Sequence, residues 1–129
     1  DMQLPKEFLD RMRELIKDYG THLMAWGPLA QGADGIFTNG TLKVIGNRYG
    51  KTNAQVALKF LIQEDIIAIP KSIHRNRIVS NLAVEDFDLT AEDMEILRRM
   101  DTGKLIADFN DPAMAKYLLE YDKKFNLNR

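Results

Sequence analysis

The sequence contains no cysteine among its 129 residues. That excludes disulfides, thiolate metal centres and a cysteine nucleophile. It also fits a reducing compartment, so a cytoplasmic location is expected. Histidine occurs only at His22 and His74, and no His-Glu-x-x-His or similar spacing exists, so no metal site is expected. Neither sign of charge dominates: 18 Lys and Arg stand against 19 Asp and Glu, leaving a formal net charge of −1. Nucleic acids and anionic membranes both attract a basic balance or face, so neither partner is expected. No apolar run is long enough to cross a bilayer. There is no P-loop, and no G-x-G-x-x-G follows a strand. The opening Asp1-Met2-Gln3-Leu4-Pro5-Lys6 is not a signal peptide, and a methionine in second place is expected of a cut end.

What is present is the composition of a globular domain, with 45% apolar and 29% charged residues. The length allows one domain at most, so residues 1–129 are expected to form a single unit. Residues 5–19 read as a helix. Pro5 suits its first position, and Phe8, Leu9, Met12, Leu15, Ile16 and Tyr19 make one apolar stripe. Gly20 is placed to end it. The short apolar run 22–26 predicts a buried strand, and the glycine-rich 27–40 a long loop. A helix is expected over 41–49, ending at Gly50. Another starts near Thr52, where Thr52 and Gln55 have capping-box spacing.

Ile66-Ile67-Ala68-Ile69 reads as a second strand ended by Pro70, and Ser72 as the N-cap of a helix running to about 82. Thr90-Ala91-Glu92-Asp93 opens a last clear helix, with Met94, Ile96, Leu97 and Met100 inward. An irregular tail over 101–112 and a weak helix over 113–125 complete the chain. Strands alternating with helices imply parallel βαβ units. Two strands cannot by themselves make a parallel sheet covered on both faces.

The sharpest constellation is Ile69-Pro70-Lys71-Ser72-Ile73-His74-Arg75-Asn76-Arg77. A strand ends, and a helix begins at once. A helix N-terminus favours a phosphate, and Lys71, Ser72, His74 and Arg77 add a point charge, a hydroxyl, an imidazole and a planar fork. The plainer reading is a solvated basic first turn. Cations there oppose the helix dipole, which speaks for a bound anion.

The second constellation is Ala25-Trp26-Gly27-Pro28-Leu29-Ala30-Gln31-Gly32. The single tryptophan lies at a strand end, where it is either a core residue or a stacking platform for a flat ligand. His22 reads as a structural or surface residue. The acidic pairs Glu64-Asp65, Glu85-Asp86 and Glu92-Asp93 read as solvated turns and caps, and Arg98-Arg99 as cations favoured at a helix C-terminus.

These residues resemble the aldo-keto reductases, in particular their bacterial diketogluconate-reductase-like branch. Ala25-Trp26-Gly27-Pro28-Leu29 is similar to the family's Ala-Tyr-Ser-Pro-Leu strand end. The segment Tyr49-Gly50-Lys51-Thr52-Asn53-Ala54-Gln55-Val56-Ala57-Leu58 is similar to its Tyr-Gly-Lys-Thr-Pro-Ala-Gln-Val-Ala-Leu helix start. The stretch from Ile69 to Ile78, with Asn81, resembles its NADPH signature. Phe87-Asp88-Leu89-Thr90 and Met100-Asp101-Thr102-Gly103 resemble the family's segments beyond that signature.

The resemblance implies an α/β fold: the C-terminal portion of a (β/α)8 TIM barrel, incomplete and helix-rich, with about two parallel strands, the last barrel units and a tail. It implies NADPH as cofactor and a small-molecule carbonyl substrate in the full-length enzyme. Lys71, Ser72, Ile73, His74 and Arg77 would surround the adenosine 2′-phosphate, and Asn81 would face the adenine. Trp26 would stack on the nicotinamide, and Gly27, Pro28, Leu29 and Gln31 would lie along the cofactor. The tail after Asp101 would help form the substrate pocket. Departures are Trp26 for the usual tyrosine, Gly27 for serine, and Ser80 where Glu or Gln commonly helps hold adenine.

No catalytic residue is assigned. The family's Asp-x4-Tyr motif needs an aspartate five residues before a tyrosine. The positions so placed before Tyr19, Tyr49, Tyr117 and Tyr121 are Glu14, Val44, Pro112 and Lys116. A whole barrel takes roughly 250 residues, so a truncated chain lacking the catalytic tetrad is expected. The alternatives are a non-catalytic NADPH-binding or self-associating piece, and a small helical interaction protein.

Overall fold

A computed structural model describes residues 6–101 together with 112–114, 116, 117 and 120. The expectations placed on Pro5, Thr102, Gly103 and most of the tail lie outside the described residues, as do those on the side chains of Phe8, Leu9 and Gln31. The described residues from 112 to 120 are helical.

Helix α1 spans Lys6–Lys17. Its expected stripe is only partly realised: Met12 and Ile16 are half-buried, whereas Leu15 and Tyr19 face solvent. Strand β1 comes next at Leu23–Trp26. The expected loop at 27–40 is instead largely a 3-10 helix over Ala30–Thr38. Helix α2, Gly40–Tyr49, is capped by Asn39, whose side chain accepts from the Leu42 N–H, and ends on left-handed Gly50. Helix α3, Asn53–Gln63, begins with the capping box of Thr52 and Gln55. Strand β2 is Ile66–Ile69. Helices α4, Arg75–Leu82, and α5, Ala91–Arg98, follow. Thr90 and Asp93 form a second capping box at α5.

The strands pair in parallel, with Leu23 opposite Ile66 and Trp26 opposite Ile69. Parallel pairing requires a crossover, which α2 and α3 provide. This is the α/β pattern of part of a (β/α)8 barrel.

The core lies among the helices rather than on the sheet. Leu42 and Ile45 of α2, Val56 of α3, Leu89, and Met94 and Leu97 of α5 form one buried cluster. Each such side chain contributes about 1.5–3 kcal/mol by leaving water. The strands are not fully buried, as the sequence suggested. Their residues Leu23, Ala25, Ile66 and Ala68 are half-buried, while Met24, Trp26, Ile67 and Ile69 on the other face are 46–59% exposed. Ile96, expected to point inward, lies at the surface because α5 turns only Met94 and Leu97 fully into the cluster.

Two acidic residues expected in solvated turns and caps are drawn further in than that, each against an arginine. The Glu64 side chain is 9% exposed and holds Arg13 at 2.9 Å and Arg98 through its Nε at 2.9 Å. It thereby ties α1 and α5 to the end of α3, and Arg98, in the last turn of α5 as expected, also pairs with Glu64. Asp93 is completely buried beneath Arg48 and Tyr49. No described helix is long and apolar enough to cross a membrane.

Candidate functional site

Parallel register puts the C-terminal ends of β1 and β2 side by side, since Trp26 is the partner of Ile69. The two constellations singled out in the sequence, 26–31 and 70–77, therefore leave the sheet at the same end. In open or barrelled α/β folds that end carries ligands.

The first exit turns sharply. Gly27 is left-handed at φ 68, and the Ala30 N–H donates to the Gly27 carbonyl at 2.8 Å. Ala30 itself has φ 50, a conformation that a residue with a Cβ adopts at some cost. The chain so folded keeps Gly27, Pro28 and Leu29 half-buried close to Trp26. Trp26 is 57% exposed at the strand end, which sets aside the core reading.

At the second exit Ser72 does not cap a helix. Its hydroxyl accepts from the His74 N–H at 3.2 Å and sits 3.4 Å from the His74 carbonyl, forming a local turn that delays the helix to Arg75. His74 takes the N-cap position without a side-chain cap bond. By contrast, α2, α3 and α5 are each capped by a side chain. The first turn of α4 has no acidic residue and carries Arg75 and Arg77. Lys71, Ile73, His74 and Arg77 are exposed, with Ile73 at 84%, while Ser72 and Asn81 are half-buried. The Ser80 hydroxyl bonds within the helix, to the Arg77 carbonyl at 3.1 Å. The site is thus a positively charged strand-to-helix junction with free reach into solvent.

His22 lies at the other end of the sheet, 3.6 Å from Asp65. A 260 Å3 concavity there is lined by Arg13, Ile16, Thr21, His22, Glu64 and Asp65. It is separated from the strand exits by the length of the sheet. Among the described residues no group of acidic or imidazole side chains is arranged to hold a metal.

Sequence reasoning passed over the supports behind the site. Lys51 bonds Asp86 at 2.6 Å and reaches the Ala83 carbonyl at 3.3 Å. Gln55 donates to the same carbonyl at 2.9 Å. Lys59, 6% exposed, pairs with Asp88 at 2.8 Å, and both lysines lie over the Phe87 ring. The Lys51 hydrogen bond holds the Asp86 carboxyl below its ordinary value. A signal existed in the i, i+4 spacing of Lys51 and Gln55, but not their common target more than twenty residues away.

The Aldo/keto reductase family model matches residues 7–102. Methylglyoxal reductase DkgA of Salmonella typhimurium is 34% identical over 99 residues, covering 74% of this chain and 36% of the relative. Glyoxal reductase of Bacillus subtilis is 37% identical over 91 residues, covering 70% of this chain and 32% of the relative. Among solved structures, a point mutant of Gox0644 in complex with NADPH superposes with a TM-score of 0.69 at 31% identity. That match covers 78% of this chain and 37% of the other. The chain thus spans about a third of the length of the relatives it matches.

Proposed function

Because the chain belongs to the aldo-keto reductase family, we propose that it is the NADPH-holding part of an NADPH-dependent reductase of small carbonyl compounds. The class of substrate is drawn from relatives that act on methylglyoxal and glyoxal. One observation carries the reading: the parallel register brings the Trp26 exit and the Lys71–Arg77 exit to one end of the sheet.

The residues present fit the cofactor. Lys71, Ser72, Ile73, His74 and Arg77 would hold the adenosine 2′-phosphate. Support comes from the cationic first turn of α4, which no side chain caps. Arg77 supplies a fork suited to phosphate, and Lys71 a compact charge. Asn81, half-buried one turn further on, would face the adenine. Trp26 would stack on the nicotinamide, with Gly27, Pro28, Leu29 and Gln31 along the diphosphate. NADPH when bound supplies the hydride that reduces the carbonyl carbon. The proton for the carbonyl oxygen is assigned to no tyrosine of this sequence, so the reading places the catalytic tetrad outside these residues. A chain without cysteine fits a reducing compartment, and the reading places the protein in the cytoplasm.

The test is an NADPH titration followed by quenching of Trp26, the only tryptophan, with NADH as control. Saturable quenching that prefers NADPH and is lost in Lys71→Ala is the expected result. Loss of a charge-assisted phosphate contact should weaken binding by roughly ten-fold or more. Equal response to both nucleotides, or none, overturns the reading.

A second reading is a self-associating piece. The exposed Met24, Trp26, Ile67 and Ile69 on one sheet face favour it, because parallel sheets are otherwise covered on both faces.

A further inference from the structure

Helix α4 bears Arg77 and Asn81 of the proposed cofactor contacts, yet its own packing, against α3, is thin. None of its residues is buried, and Ile78, Val79 and Leu82 are 45%, 58% and 74% exposed. An eight-residue helix is too short to persist alone in water. Its position must then be set where the chain enters and leaves it. At the leaving end the Ala83 carbonyl accepts from Lys51 Nζ, in the turn before α3, at 3.3 Å and from Gln55 Nε2, in the first turn of α3, at 2.9 Å. Ala83 is the C-cap of α4, so these two donors fill both lone pairs of a carbonyl at the helix terminus.

The anchor itself is firm. Gln55 is 7% exposed and locked by the capping box, and Lys51 is further held by Asp86. Gly46 of α2 packs so tightly that a Cβ there would stand 2.4 Å from the Lys51 carbonyl oxygen. Val84, next along the chain, is 5% exposed and extends the anchor.

We infer that Lys51 and Gln55 are positioning residues for the cofactor: they hold the Ala83 end of α4 and so set where Arg77 and Asn81 stand against the nucleotide. The inference rests on the NADPH reading above. It has a consequence that a general loss of stability would not have. If α4 swings, the contact of Arg77 with the 2′-phosphate suffers, while the nicotinamide end at Trp26 is untouched. NADH lacks that phosphate, so discrimination between the two nucleotides should fall, rather than affinity for both.

The experiment compares the 129-residue chain with Lys51→Met, Lys51→Arg and Gln55→Glu. Gln55→Glu keeps an acceptor for the capping box but replaces the donor facing Ala83 with a carboxylate, and serves if Lys51→Met does not fold. Two quantities are read: amide hydrogen exchange along the chain, and the ratio of NADPH to NADH affinity. The expected result is exchange at 79–84 accelerated by roughly five- to ten-fold in Lys51→Met and Gln55→Glu, with α2 and the rest of α3 unchanged. The nucleotide preference should fall by about five-fold, and Lys51→Arg should restore both. Unchanged preference in a folded Lys51→Met or Gln55→Glu overturns the inference alone, whatever the exchange rates. A parent chain that binds NADPH no better than NADH overturns the cofactor reading and this inference with it.

Discussion

At the scale of single residues, Asp93 is the group on which most interactions converge. Its side chain is fully enclosed, accepts from Arg48 and Tyr49, and caps Thr90 as part of a capping box. Burial by itself would push this carboxyl up. The hydrogen bonds from Tyr49 and Thr90, with the Arg48 charge, outweigh burial and hold it below its ordinary 3.8. The same contact raises the Tyr49 phenol, chiefly through the hydrogen bond it donates to Asp93. A carboxyl depressed in the folded state stabilises above its unfolded value and ceases to do so as pH falls through the folded one. Stability carried by Asp93 should therefore hold at neutral pH and decline below about pH 3.8. Asp93→Ala should cost about 2–3 kcal/mol at neutral pH, combining a lost cap with lost bonds. The figure stays below that of a wholly buried pair because Arg48 is 48% exposed and can rehydrate. Urea unfolding from about pH 7 to about pH 3 measures this, and Asp93→Asn should flatten the acid limb. Parallel acid limbs in parent and Asp93→Asn would assign the titration elsewhere. Asp93 read in the sequence as a capping residue, which it is; its burial under Arg48 spans a separation that no local pattern reports.

At the scale of elements, the corner between α2 and α3 decides how firmly the candidate site is backed. Gly46 lies buried there, against the Lys51 carbonyl and Val56. In an exposed helix, glycine to alanine would gain about 1 kcal/mol from propensity. Here the added carbon would meet backbone at 2.4 Å, and backbone cannot swing aside as a flexible side chain can. Gly46→Ala is expected to destabilise by about 1–3 kcal/mol, the reverse of the propensity effect. Thermal unfolding reads the sign directly, and a stabilised variant would show that the corner relaxes. The elements themselves were largely legible. Both strands, the Gln55 capping box, the helix start at Thr90 and the Gly50 stop arise from short-range rules that the structure obeys. The start of α4 was misplaced because a serine hydroxyl serves a helix cap and a local turn equally well. Ser72 spends its hydroxyl on His74, two residues on. The 3-10 helix over Ala30–Thr38 was missed because its glycines and proline neighbour signal a loop, and a 3-10 run has no strong apolar period of its own.

At the scale of the whole molecule, what the sequence could not convey is which side of the sheet is covered. An apolar run of four residues looks the same whether one face or both are packed. The structure covers one face with α3 and leaves Met24, Trp26, Ile67 and Ile69 as two adjacent rows on the other. Four large apolar side chains in register form a patch rather than scattered surface residues, and patches of this kind drive association. Among the described residues the sheet has two strands, so each has a strand neighbour on one side alone, which adds to the tendency. The 129-residue chain on its own is therefore expected to associate with rising concentration. Ile67→Lys places a charge at the centre of the patch, opposite Met24, and should shift the population towards monomer. It lies on the strand away from Arg77 and Lys71, so NADPH preference should persist in the monomeric variant. Sedimentation across a concentration series distinguishes the cases. Association abolished by Ile67→Lys assigns it to the sheet face. Association that survives the substitution moves it to the exposed Ile78, Val79 and Leu82 of α4, where bound NADPH should then oppose it. A parent chain that stays monomeric at every concentration removes the self-associating reading and leaves the cofactor-holding one alone.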